Sequence, residues 1–162
     1  MSNSDIIPNL LVTGASGTVG HELVKQLLAS SPLTNQNVIA GVHTKNGAEK
    51  LSKYSGLKIV DLDYNKHDTI INAFRNVNSL FLITIPNPDS IDNFSDLIKL
   101  AKNNGISYVV KLSVQETIDS APNTWTFAQA GRENNRRIWN SAYFLMSYRI
   151  YAKLCNILRG HY

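Results

Sequence analysis

Residues 10–28 narrow the choice of fold more than any other part of this chain. Leu10-Leu11-Val12-Thr13 is a short apolar, β-prone run. It stops in Gly14-Ala15-Ser16-Gly17-Thr18-Val19-Gly20, after which Leu23, Val24, Leu27 and Leu28 recur at helical spacing. Strand, glycine turn and helix follow one another with no spacer. Glycines cluster in ordinary turns too, so the string alone is a weak signal and its position gives it meaning. Gly14 permits a tight turn. Gly17 lets backbone N–H groups approach a diphosphate with no Cβ in the way, and Gly20 lets the helix pack closely on the sheet. Together with Ser16, Thr18 and Val19 these glycines are the candidate cofactor-binding turn; the competing reading is a purely structural one.

The alternation then continues. Pro32, Thr34 and Asn35 are expected to break the first helix, and Val38–Val42 reads as a second strand. A helix over Ala48–Lys53 and a third strand over Leu57–Leu62 follow. Ile70, Ile71 and Phe74 share one face of the next helix, and Ser79–Ile85 is an almost wholly apolar fourth strand ended by Pro86 and Pro88. Ile91–Lys102 carries Phe94, Leu97, Ile98 and Ala101 on one helical face, and Tyr108–Leu112 is a fifth strand. Strands that are apolar throughout, each followed by a helix or a turn signal, imply a parallel sheet covered on both faces. The fold class is therefore α/β, doubly wound, with strand order third-second-first-fourth-fifth and the ligand crevice between the first and fourth strands. Residues 114–130 read as loop, and after Asn134 the apolar pattern fits neither helix nor strand well.

Composition sets the remaining bounds. A chain of 162 residues, 43% hydrophobic and 17% charged, has the makings of one compact domain rather than a fibre or a disordered chain. Its single cysteine, Cys155, cannot form an internal bridge, and the start MSNSDIIPN lacks the features of a secretory signal, so a reducing, cytoplasmic location is the expectation. No apolar run approaches the roughly 20 residues of a membrane span. The net charge of +4 is unevenly placed. Five of the sixteen basic residues (Arg136, Arg137, Arg149, Lys153 and Arg159) lie beyond Asn134 with no acid among them, leaving eleven against twelve acids in residues 1–133. The body is near neutral and the tail is not, which suggests two unlike pieces, 1–133 and 134–162, rather than a uniformly basic nucleic-acid binder.

Which dinucleotide the turn would take is read at the end of the second strand, where an acid holds the ribose of NAD and a cation accepts the 2′-phosphate of NADP. Val42-His43-Thr44-Lys45 contains no acid. NADP is favoured, with NAD the alternative; His43, Thr44 and Lys45 are candidate phosphate contacts, and the plain alternative makes Lys45 a solvated loop lysine. Asp61 and Leu62, closing the third strand, are placed to meet an adenine ring, whereas Asp63 reads as a capping or surface residue. Thr84, Ile85 and Pro86 fall along the nicotinamide half of the crevice or simply terminate a strand. Ser113 touches cofactor or substrate or ends a turn. His21 and His67 have no partner spacing for a metal.

The segments VTGASGTVGHELVKQLL, DLDYNKHDTIINAFRNVNSLFLIT and KNNGISYVVKLSVQ, taken in order over residues 8–133, resemble the NmrA-like family of atypical short-chain dehydrogenases, which includes quinone oxidoreductase-like and isoflavone reductase-like members. The resemblance implies a Rossmann domain in a protein that either reduces a small acceptor such as a quinone or senses the cofactor while binding a regulatory protein partner. It assigns no catalytic residue. The one Tyr-x-x-x-Lys match, Tyr54 to Lys58, precedes the third strand, on the wrong side of the sheet for the proton donor of short-chain dehydrogenases. The lysine of the isoflavone reductase-like branch corresponds here to Gln129 or Ala130, neither of which can do that work.

Relatives continue past a segment like Ala130-Gly131-Arg132-Glu133-Asn134 with a helix, a strand reading roughly SGIPYTFLRP, then FFMQNF and a smaller substrate lobe. This chain does not, yet a one-nucleotide shift with allowed codons rereads Asn135–Leu154 as IEEYGIPHTFLCPIEFMQNF. The expectation is a reading frame that slipped near Asn134 or Asn135, an oxidoreductase impaired by loss of that lobe, and a fifth strand left as an exposed, aggregation-prone edge. Binding of nucleic acid or a phosphate surface through Trp139, Tyr143, Phe144, Tyr148, Tyr151 and the interleaved arginines is the least favoured reading. Sequencing the locus and its transcript checks the frame: a single-base repair near those codons should open a longer frame containing the strand and the lobe.

Overall fold

A computed structural model describes residues 7–34, 36–83, 90–113 and 142–146. The strands are β1 (Asn9–Val12), β2 (Asn37–Val42), β3 (Lys58–Asp61), β4 (Ser79–Leu82), β5 (Tyr108–Ser113) and β6 (Ala142–Met146), and the helices α1 (Thr18–Thr34), α2 (Lys45–Leu51), α3 (His67–Phe74) and α4 (Ser90–Asn103). All strand pairs are parallel, in the order β3-β2-β1-β4-β5-β6. The five expected strands take their expected order. The sixth corrects the expectation for the tail: Ala142–Met146 pairs along β5, Val109 opposite Ala142 through Ser113 opposite Met146, so β5 is not an edge. Tyr143-Phe144-Leu145 is β-prone enough to extend a ladder that β5 offers.

Apolar strands follow from helices on both faces. Leu11, Ile39, Leu80, Leu82 and Val109 meet Ile70, Phe74, Leu97, Ile98 and Ala101 of α3 and α4. On the opposite face Leu10, Val12, Val38, Ala40, Phe81 and Val110 meet Leu23, Val24 and Leu27 of α1 and Leu51 of α2. Alternate residues of one strand thus enter different cores. Burying each large side chain in either contributes about 1.5–3 kcal/mol. The outer strand β3 departs from the pattern, with Lys58 and Asp61 exposed at its ends. Charge there blunts an edge that would otherwise invite another strand. Helix α1 runs through Pro32 to Thr34 instead of stopping at the proline. In a last turn the missing N–H removes a single hydrogen bond, which the helix tolerates before it ends.

At the end of the sheet where the strands begin, asparagines fix the register. The Asn9 N–H donates to Asn78 Oδ1 (2.8 Å), Asn9 Nδ2 to the Asn76 carbonyl (2.6 Å) and Asn37 Nδ2 to Asn9 Oδ1 (3.0 Å). The Ser107 N–H donates to the Asn78 carbonyl (2.9 Å). These bonds join the starts of β1, β2, β4 and β5. Asn78→Ala removes the acceptor for the Asn9 amide and should lower stability by about 1 kcal/mol, read from the denaturant midpoint, without altering ligand affinity at the other end of the sheet.

Candidate functional site

Because the strands are parallel, their last residues meet along one edge of the sheet. This gathers the turn after β1, His43 to Lys45 after β2, Asp61 and Leu62 at β3, Ile83 after β4 and Ser113 at the end of β5. Gly14 adopts φ +60°, the left-handed region, and a Cβ on it would stand 3.3 Å from Ile83 Cβ. Its carbonyl accepts from the Gly17 N–H (3.0 Å), which closes the turn, and the Gly17 carbonyl accepts from the His21 N–H (2.8 Å) inside α1. A Cβ on Gly20 would collide with the Gly14 carbonyl and lie 2.9 Å from Ala15 Cα, so helix and turn touch backbone to backbone. Gly17 differs: it is exposed, and a Cβ there would meet only the Gly14 carbonyl, at 3.3 Å.

The start of α1 therefore presents unpaired N–H groups and the positive end of its dipole at an open surface, the arrangement that accepts an anion. Beside it runs a groove of about 420 Å³ lined by Ser16, Gly17, Thr18 and His21 on the α1 side and by Glu49 and Lys50 of α2 and Lys53 of the turn after it on the other. His21 Nε2 lies 3.0 Å from the Tyr54 hydroxyl, and the Lys53 ammonium stands 5.2 Å from the centre of the Tyr54 ring. The aromatic pair ties α1 to the turn after α2 beside the groove, and Lys50 and Lys53 are exposed there. Neither lysine is paired with a carboxylate among the described residues.

The residues expected after β2 take distinct places. Thr44 caps α2, its Oγ1 accepting the Gly47 N–H (3.0 Å), while His43 and Lys45 are exposed beside it. Asp61 is exposed, and Leu62 is buried at 3%, its side chain in the core facing α3 and α4. Any ligand contact at Leu62 is thus made by its backbone. Asp63 does not cap α3, which begins after Lys66. Its carboxylate instead accepts the Asn65 N–H (3.0 Å), the leading reason its pKa sits below the ordinary value, and pairs with Lys66 at 3.5 Å. Ser113 closes β5 opposite Met146. Thr84, Ile85 and Pro86 lie outside the described residues. Sequence reasoning missed His21, Lys50 and Lys53; Lys50 lies in the last turn of α2 and Lys53 in the turn just beyond it, and no local pattern marks the two as a pair.

A family model described as NAD(P)H-binding matches residues 14–144. No curated protein matches the chain. Among solved structures, triphenylmethane reductase of Citrobacter sp. in complex with NADP(H) is 26% identical, with a TM-score of 0.71 over 86% of this chain and 49% of that one. The NADPH-dependent quinone oxidoreductase QOR2 of Escherichia coli, complexed with NADPH, is 19% identical (TM-score 0.67, 85% of this chain, 47% of that one). NmrA, a negative transcriptional regulator, is also 19% identical (0.70, 86% and 45%). At that identity the last two show the fold alone. The chain spans about half the length of these structures.

Gly17 of the turn and Gly20 of α1 should fail in different ways. Gly17→Val leaves the fold standing but fills the approach to the α1 N–H groups, so dinucleotide affinity should fall below detection by calorimetry while the thermal transition stays cooperative. Gly20→Ala forces turn and helix apart and should cost about 1–3 kcal/mol of stability in denaturant melts.

Proposed function

The chain belongs to the NAD(P)H-binding family, and we propose that it binds NADP(H) with the diphosphate on the glycine turn and the 2′-phosphate toward the lysine side of the groove. The groove carries this reading. One open surface joins the anion-accepting start of α1 to Lys50 and Lys53, with a single acid, Glu49, among its lining residues. The residues that follow β2, His43, Thr44 and Lys45, include no carboxylate to hold the ribose of NAD. The NADP(H) bound by the Citrobacter reductase supports the same choice.

With the cofactor so placed, the function is that of an NAD(P)H-dependent oxidoreductase of a small acceptor such as a quinone, in a cytoplasmic setting. The bound nicotinamide supplies hydride chemistry, while this chain's own residues bind and orient it. A second reading, a non-catalytic NADP sensor that acts through a protein partner, is favoured by one observation. The only tyrosine spaced for a Tyr-x-x-x-Lys pair, Tyr54, has its hydroxyl bonded to His21 on the α1 and α2 face, while Lys58 opens the outer strand β3.

Titration of the purified chain with NADPH and NADH, followed by absorbance assays over a quinone panel, tests both. NADPH should bind more tightly than NADH, and Lys50→Gln/Lys53→Gln should weaken NADPH by about five- to tenfold with NADH unchanged. Turnover selects the oxidoreductase, tight binding without turnover the sensor, and equal affinity for the two nucleotides overturns the assignment of NADP.

A further inference from the structure

The Tyr64 hydroxyl lies outside the groove and meets two partners, the Ile83 carbonyl and the Thr13 side chain. Tyr64 sits in the connection between β3 and α3, packs against the core that faces α3 and α4, and donates to the Ile83 carbonyl at 2.9 Å. Burial pushes its phenol well above the ordinary tyrosine range, so it remains a donor across the working pH range. Thr13, which follows β1, holds the same residue through its hydroxyl, beside the Tyr64 hydroxyl. Its Oγ1 accepts the Ile83 N–H at 2.8 Å and lies 3.2 Å from the Ile83 carbonyl. Ile83 is thereby held at both backbone groups, and its side chain is the wall against which Gly14 turns.

This residue stands at the point where the strand order changes direction. β2 and β3 extend from β1 on one side and β4 and β5 on the other, so a dinucleotide whose diphosphate rests on the turn lays its adenosine half over β2 and β3 and its nicotinamide half over β4 and β5. The adenosine half has its own supports in His43 to Lys45 and in Lys50 and Lys53 of the groove. The other half leaves the turn over Ile83.

We infer that Tyr64 is a positioning residue for the nicotinamide half of the cofactor, fixing the end of β4 through the Ile83 carbonyl. The inference rests on the cofactor reading above. It predicts a loss confined to one half of the ligand, which a purely structural tyrosine would not produce. In the full chain, Tyr64→Phe keeps the ring and removes the hydroxyl. NADPH affinity should fall about fivefold, and that of 2′-phospho-ADP-ribose, which lacks nicotinamide, by less than about twofold. Thr13→Val should give the same split and Thr13→Ser should restore it, which provides the test if Tyr64→Phe does not fold. Equal losses for both probes, or no loss for either, overturn the role of Tyr64 while leaving the cofactor reading in place. A wild-type chain that binds neither probe overturns both.

Discussion

The Gly14 carbonyl is the fixed point of this molecule. It closes the turn by accepting from Gly17, and it occupies the space that a side chain on Gly20 would need. The helix can therefore start only where the strand has just ended, with its first N–H groups facing outward. A left-handed residue, a close backbone crossing and an unpaired helix end are usually separate features of a protein. Here they are one feature, and the position of α1, the mouth of the crevice and the groove toward α2 all follow from it.

The packing makes that arrangement rigid from below. Val12, fully buried, belongs to the core under α1, and Leu11, its neighbour in sequence, to the core under α3 and α4. Displacing the end of β1 would disturb both at once. Ile83 fastens the end of β4 to the same place through Thr13 and Tyr64. An open site for a charged ligand thus rests on close-packed apolar layers that do not deform gradually.

Periodicity made the sheet legible: Leu10–Thr13, Val38–Val42, Leu57–Leu62 and Tyr108–Leu112 are short apolar runs between breakers, and the strands fall within a residue or two of them. The glycine turn was legible for the same reason, since its spacing reports backbone contacts rather than side-chain ones. What escaped was tertiary. The partnership of His21 with Tyr54 links residues 33 positions apart, and nothing local in either announces it. The strand at Ala142–Met146 lay in a segment whose composition fits neither element well; β5 supplied the ladder that decided it. In the shifted reading of that segment, Phe144 and Leu145 are the two positions that keep their identity.

The asparagine bonds that join the starts of β1, β2, β4 and β5 lie a full strand length from the turn. Part of the sheet's stability is therefore lodged at the pole that takes no share in recognition. Heat tolerance can be tuned at the asparagine pole with the cofactor end untouched, whereas changes at the glycine end touch both traits at once.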